Sequence, residues 1–153
     1  TDVSVVRFVM CEDDVRTVVQ HPLSMIGTDA SAVAPYGVLG KGKPHPRSYG
    51  TFPRVLGRYV REEGILTLEG AIRKMTSLPA QKLGLRDRGL VREGMYADMT
   101  ILDPGKVADT ASYADPHQYP EGIKYVLVNG KVTIDRGEHT GVLSGRALRK
   151  PHR

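Results

Sequence analysis

Apolar and polar positions divide the chain into two halves of different rhythm. Val5 to Met10 alternates in a way that reads as a buried strand. Cys11 then leads into Glu12, Asp13 and Asp14, which predict a short helix through about Gln20, its acidic first turn complementing the helix dipole. Pro22 stops that helix. Leu23 to Gly27 is a second short apolar run, followed by the polar Thr28-Asp29-Ala30-Ser31. Strand, helix, strand is the βαβ order of a parallel sheet, with Asp29 just past the carboxyl end of the second strand. Residues 32–52 read as a long loop with four glycines and three prolines, a length that marks function or disorder. From Pro53 to Glu63, Val55, Leu56, Tyr59 and Val60 share one helical face, Pro53 suits a first-turn position, and Gly64 ends the pattern. Thr67 suits a cap for a next helix whose face carries Leu68, Ala71, Ile72 and Met75. Ser77 is expected to cap a third, Leu78 to Leu83, closed by Gly84.

The rhythm changes near Gly89. Ala97 to Asp103 alternates like a half-buried strand, and Asp115 to Gly122 is a polar loop. Ile123–Val128 and Lys131–Asp135 predict two strands joined by Asn129-Gly130, a pair that accepts φ > 0 at both positions and so signals a tight hairpin. The expected division is therefore residues 1–90, α/β, and residues 91–153, antiparallel β. No internal repeat appears. The basic tail, Arg146 to Arg153, reads as solvated.

Composition narrows the class. Hydrophobic residues are 40% and charged residues 25% of 153, an ordinary globular balance. No run approaches the length of a membrane span. The opening lacks both the basic start and the cleavage site of a signal peptide. It also lacks an initiator Met, so an upstream part is expected. One cysteine excludes an internal disulfide and fits a reducing, cytoplasmic setting. The net charge of +5 is spread along the chain without aromatic interleaving, which argues against nucleic acid.

Asp29 is the first chemical candidate. At a strand's carboxyl end a carboxylate can ligate a metal or take a proton from a metal-activated water. The same spacing suits an Asp that merely caps the next turn, and spacing alone favours that reading. The second candidate is Lys41 to Arg47, where Lys41, Lys43, His45 and Arg47 would suit an anionic group and Pro44 and Pro46 restrain the chain. A solvated surface loop is its competing reading. Gly37 to Lys43 also matches most of a phosphate-binding loop. Pro44 stands where Ser or Thr must hold magnesium, and Pro44-His45-Pro46 is not expected to open a helix, so nucleoside triphosphate is excluded. No two of His21, His45, His117, His139 and His152 have ligand spacing, and Cys11 reads as a buried thiol or weak N-cap. Any metal would need ligands from upstream sequence or another chain.

Three stretches together resemble a known family. They are Ser24 to Asp29; His45-Pro46-Arg47-Ser48-Tyr49-Gly50-Thr51-Phe52-Pro53-Arg54-Val55-Leu56-Gly57; and Gly94 to Pro104 with Val126 to Gly130. They are similar to N-acyl-D-amino-acid deacylases of the amidohydrolase superfamily, the second stretch most specifically. The resemblance implies an α/β fold: the C-terminal part of a (β/α)8 metal-dependent hydrolase barrel, followed by part of a small β-sandwich domain. Leu23 to Thr28 would be the last barrel strand. It implies zinc, with Asp29 as catalytic base and then acid, and as the one metal ligand this chain could supply. His45, Arg47, Gly50 and Thr51 fall to substrate binding. The implied substrate is a small N-acyl-D-amino acid, with no nucleic-acid or membrane partner, and the upstream barrel is needed to complete the site. A dihydroorotase- or hydantoinase-like cyclic amidase and a non-catalytic packing fragment are the alternatives. A partial barrel would expose sheet edge and apolar surface, so the chain alone is expected to self-associate.

Overall fold

A computed structural model describes residues 5, 7 and 9–149. Helix α1 spans Glu12–Gln20 and ends at His21, whose backbone leaves the helical region just before Pro22. Cys11 is its N-cap, but its thiol is exposed and makes no capping bond, which corrects the expectation of burial. Glycines 37 and 40 bound one 3-10 turn. Helix α2 then opens at Arg47 and runs to Arg54, six residues ahead of the expected Pro53 start. Pro53 therefore lies inside the helix, where its missing N–H leaves a gap in the bonding ladder. Immediately after it, Val55–Glu62 widens into a π-helix, and the Glu63 N–H reaches back to Arg58 O at 2.8 Å.

Helix α3, Leu68–Met75, is capped as expected, with Thr67 accepting from Gly70 N. Helix α4, Ser77–Leu83, closes on Gly84 at φ 76°. Its N-cap is Thr76, not Ser77, and makes no capping bond there. The Thr76 hydroxyl donates instead to Ile72 O at 2.7 Å.

Beyond residue 98 the chain forms one antiparallel sheet in the order β1-β2-β3-β4: Met99–Leu102, Ile123–Val128, Lys131–Asp135 and Glu138–His139. Asn129 and Gly130 turn the β2–β3 hairpin with φ 50° and 77°, the double positive φ their sequence demands. Asp98 accepts the Asn129 N–H at 2.7 Å, and Gly130 donates to Ala97 O at 2.9 Å. The turn is thus locked onto the segment entering β1. Buried Arg88 ties the same corner, bonding Asp98 and Asn129 while its guanidinium lies 4.3 Å over the Tyr96 ring.

The two expected parallel strands are not present as strands among the described residues. Val5, Val9 and Met10 are exposed and unpaired in a sheet, and residues 6 and 8 lie outside the described residues. Ser24 to Ala30 has no regular secondary structure. A strand is defined by its neighbour, and no described residue pairs with either segment.

The core is a single cluster of Val55, Leu56, Tyr59, Ala71 and Val107, flanked by Val15, Ile26, Met75, Leu102 and Ile123. It joins helices to the region around β1 and β2. Gly57 makes this possible: a Cβ there would stand 2.7 Å from Val107 O. No helix among the described residues is long and apolar enough to cross a membrane.

Candidate active site

The segment carrying Asp29 is held by a buried lysine. Ile26 N donates to Lys74 O at 3.2 Å, and the Lys74 ammonium donates to Ser24 Oγ (2.9 Å), Ser24 O (3.2 Å) and His21 O. Burial, and then the Arg73 charge, push the Lys74 pKa down. The helical pattern gave no sign of this, because it put Ile72 on the inner face of α3. Ile72 is exposed and Lys74 is buried in its stead.

Past this anchor, Asp29 adopts φ 46°, a left-handed conformation that Asp tolerates better than most residues. The Asp29 carboxylate is well exposed and meets Arg47 at 2.9 Å.

Arg47 is the first residue of α2. The sequence Pro44-His45-Pro46, expected to prevent a helix, in fact starts one. Pro46 already has helical φ and ψ, and the His45 ring accepts the Arg47 N–H at Nδ1 (3.0 Å). With Nδ1 an acceptor, the His45 proton is on Nε2, which donates to Tyr113 Oη at 3.2 Å. Burial, and secondarily the Arg47 charge, hold the His45 pKa below its ordinary value, in keeping with that neutral tautomer. Thr51 lies one turn along α2 and its hydroxyl donates to Arg47 O at 2.8 Å. Gly50 is buried, and a Cβ on it would meet Asp109 Cβ at 2.8 Å. Its role in the structure is close approach. Asp109 in turn pairs with Arg54 at 3.2 Å.

A cavity of about 530 Å³ runs beneath these groups. His45, Arg47, Gly50 and Thr51 all line it, together with Asp109 and Tyr113. Asp29 stands outside its lining. The structure thus brings Asp29, Arg47 and His45 into one chain of contacts, with Gly50 and Thr51 behind them.

Two groups at this site were not foreseen. Tyr49 donates to His117 Nδ1 at 2.9 Å, and His117 Nε2 donates to Gly42 O at 3.0 Å. Burial pushes the Tyr49 pKa up, so its hydroxyl keeps the proton it donates. Tyr113 stacks edge-on to His45 with ring centres 5.1 Å apart. The only sequence signal was three ring side chains, Tyr113, His117 and Tyr119, in and beside an otherwise polar loop. The phosphate-loop-like stretch has a different use: Lys43 Nζ donates to Ala114 O at 2.9 Å.

Among the described residues no three His, Cys, Asp or Glu side chains are grouped to hold a metal. The exposed Asp29 carboxylate, now paired with Arg47, is an oxygen donor of the kind zinc takes.

Residues 5–134 match the amidohydrolase family. The chain is 44% identical over 136 residues to the N-acyl-D-aspartate deacylase of Alcaligenes xylosoxydans xylosoxydans, covering 89% of this chain and 26% of that protein. A solved D-aminoacylase with a binuclear metal centre superposes with a TM-score of 0.83 at 42% identity, covering 92% of this chain and 28% of that one. The N-acyl-D-glutamate deacylase of Bordetella bronchiseptica, solved with zinc and a phosphonate inhibitor, gives 0.73 at 41%, over 89% and 28%. The chain spans about a quarter of the length of these relatives. The match across most of its length, in sequence and in structure, makes this chain a member of the amidohydrolase family.

Proposed function

We propose that the protein to which this chain belongs hydrolyses the amide of N-acyl-D-amino acids, releasing a carboxylate and a free D-amino acid. The observation that carries this reading is the Asp29–Arg47 pair, a general base and a carboxylate receptor 2.9 Å apart beside an open cavity. The deacylase relatives support the choice of substrate class. In architecture, residues 1–90 are the last part of a (β/α)8 barrel and 91–153 part of a small β-sandwich. The order of Asp29 and then α2 supports that division, with the helices before residue 84 and the strands after 98 among the described residues. A cytoplasmic setting agrees with the single free cysteine.

Zinc, when bound, makes a water acidic enough to supply hydroxide near neutral pH. Asp29 would be its one ligand from this chain. As base, Asp29 holds the proton of the attacking water on a carboxylate oxygen, then passes it to the departing amine nitrogen. Arg47 grips the substrate carboxylate through its planar fork. That grip competes with the present Asp29–Arg47 pair, so an arriving carboxylate frees Asp29 for proton transfer. His45 fixes the Arg47 backbone, Thr51 braces the same turn, and Gly50 lets α2 lie close to Asp109.

The test uses the complete protein supplied with zinc. Amine release is followed from N-acetyl-D-methionine, N-acetyl-D-glutamate and an L control, with ring opening of dihydroorotate alongside. Release from a D substrate that drops about 10²–10⁴-fold in Asp29→Asn supports both substrate class and role. Ring opening with no amine release overturns the substrate. Undiminished activity in Asp29→Asn overturns the base.

A further inference from the structure

The site loop, residues 41–45, has no regular secondary structure of its own, and it turns at Gly42, whose φ of 79° suits glycine. What holds it comes from far along the chain. Lys43 bonds Ala114 O, His45 bonds Tyr113, and His117 bridges Gly42 O to the Tyr49 hydroxyl on α2. These contacts span 68 to 75 residues and all land within Tyr113–His117, the segment between β1 and β2. Pro116 within that segment is buried, so the segment is itself anchored.

We infer that Tyr113 and His117 are positioning residues for substrate binding, forming a strap that holds loop 41–45 and the start of α2 where Arg47 meets a substrate carboxylate. This rests on the reading of Arg47 given above. Tyr113 reaches Arg47 through the His45 imidazole, and His117 joins loop and helix across one ring. Loss of either leaves the chemistry at Asp29 intact and loosens the binding group. The cost therefore falls on binding.

The experiment compares His117→Ala, His117→Gln and Tyr113→Phe with wild type in the complete zinc-loaded enzyme. In His117→Ala, KM for an N-acyl-D-amino acid rises about tenfold and kcat stays within about twofold, as expected for two lost hydrogen bonds. Gln places an amide donor near the position of Nε2 and recovers part of the KM through Gly42 O. Tyr113→Phe raises KM by roughly fivefold or less, one net hydrogen bond. An unchanged KM in both His117→Ala and Tyr113→Phe overturns the strap, as does a loss confined to kcat. Should wild type release no amine from any N-acyl-D-amino acid, amide hydrogen exchange decides the strap on the same proteins. Faster exchange in 41–46 of His117→Ala, with residues 55–75 unchanged, supports it; unchanged exchange in 41–46 overturns it.

Discussion

At the scale of single residues, Asp29 combines an uncommon backbone with an exposed acid. A left-handed φ costs a non-glycine residue about 1–3 kcal/mol and persists where its surroundings impose it. Here the Lys74 anchor precedes it and Arg47 faces it. Asn tolerates the same φ, so Asp29→Asn removes the charge without disturbing the turn. The thermal midpoint of that variant should equal wild type while its activity falls, and a scan beside the amine-release assay checks both. Asp29, Arg47 and His45 were singled out because local spacing made them candidates and the family resemblance gave them roles. Tyr113 and His117 were not legible, because nothing local relates a ring at 117 to a loop at 42.

At the scale of elements, one set of polar contacts ties the helices to one another, and one close approach ties them to the segment after β1. Glu63, at the end of the π-helix, accepts Arg16 at 2.9 Å and Arg58 at 2.7 Å, and Tyr59 donates to Glu12 of α1 at 2.8 Å. The Arg16 bond first, then Arg58, lower the Glu63 carboxyl from 4.5 to about 2. A depressed folded value means that this stabilisation is complete above the unfolded pKa and is lost as pH falls from 4.5 towards 2. Denaturant midpoints between pH 6 and 3 should fall in wild type, and less steeply in Glu63→Gln. The close approach is that of α2's continuation to Val107. Gly57→Ala would gain about 1 kcal/mol of helix propensity. Its Cβ would collide with Val107 O, and overpacking of this kind costs about 1–3 kcal/mol. A lower urea midpoint is expected, and a raised one would show that the backbone at 107 yields easily.

At the scale of the whole molecule, the described residues carry much uncovered apolar surface on one side of the chain order. Val9, Met10, Val18 and Leu23 are all more than half exposed, at 77%, 75%, 59% and 78%. They lie in and around α1, within the part proposed as barrel. Such surface seeks cover, whether from the rest of a barrel or from another copy. Residues 1–153 alone should therefore self-associate, with a sedimentation coefficient that rises with concentration. A monodisperse monomer that unfolds cooperatively would count against the partial-barrel reading.

The Thr67 cap, the helix-closing Gly84 and the Asn129-Gly130 turn were settled by the sequence itself, because each acts over a few bonds. α3, α4 and the β2–β3 hairpin follow from them with small shifts at the ends, and α1 ends ahead of Pro22 as its sequence requires. Tertiary structure decided what depends on a distant partner. The Leu23–Gly27 run shows strand chemistry but no strand, since pairing needs a neighbour among residues remote in sequence. Helix α2 starts at Arg47 because the His45 ring meets its first N–H, and His45 is itself met by Tyr113 from the far half of the chain. The burial of Lys74 in place of Ile72, and the strap over the site loop, are likewise products of packing between segments that periodicity treats one at a time.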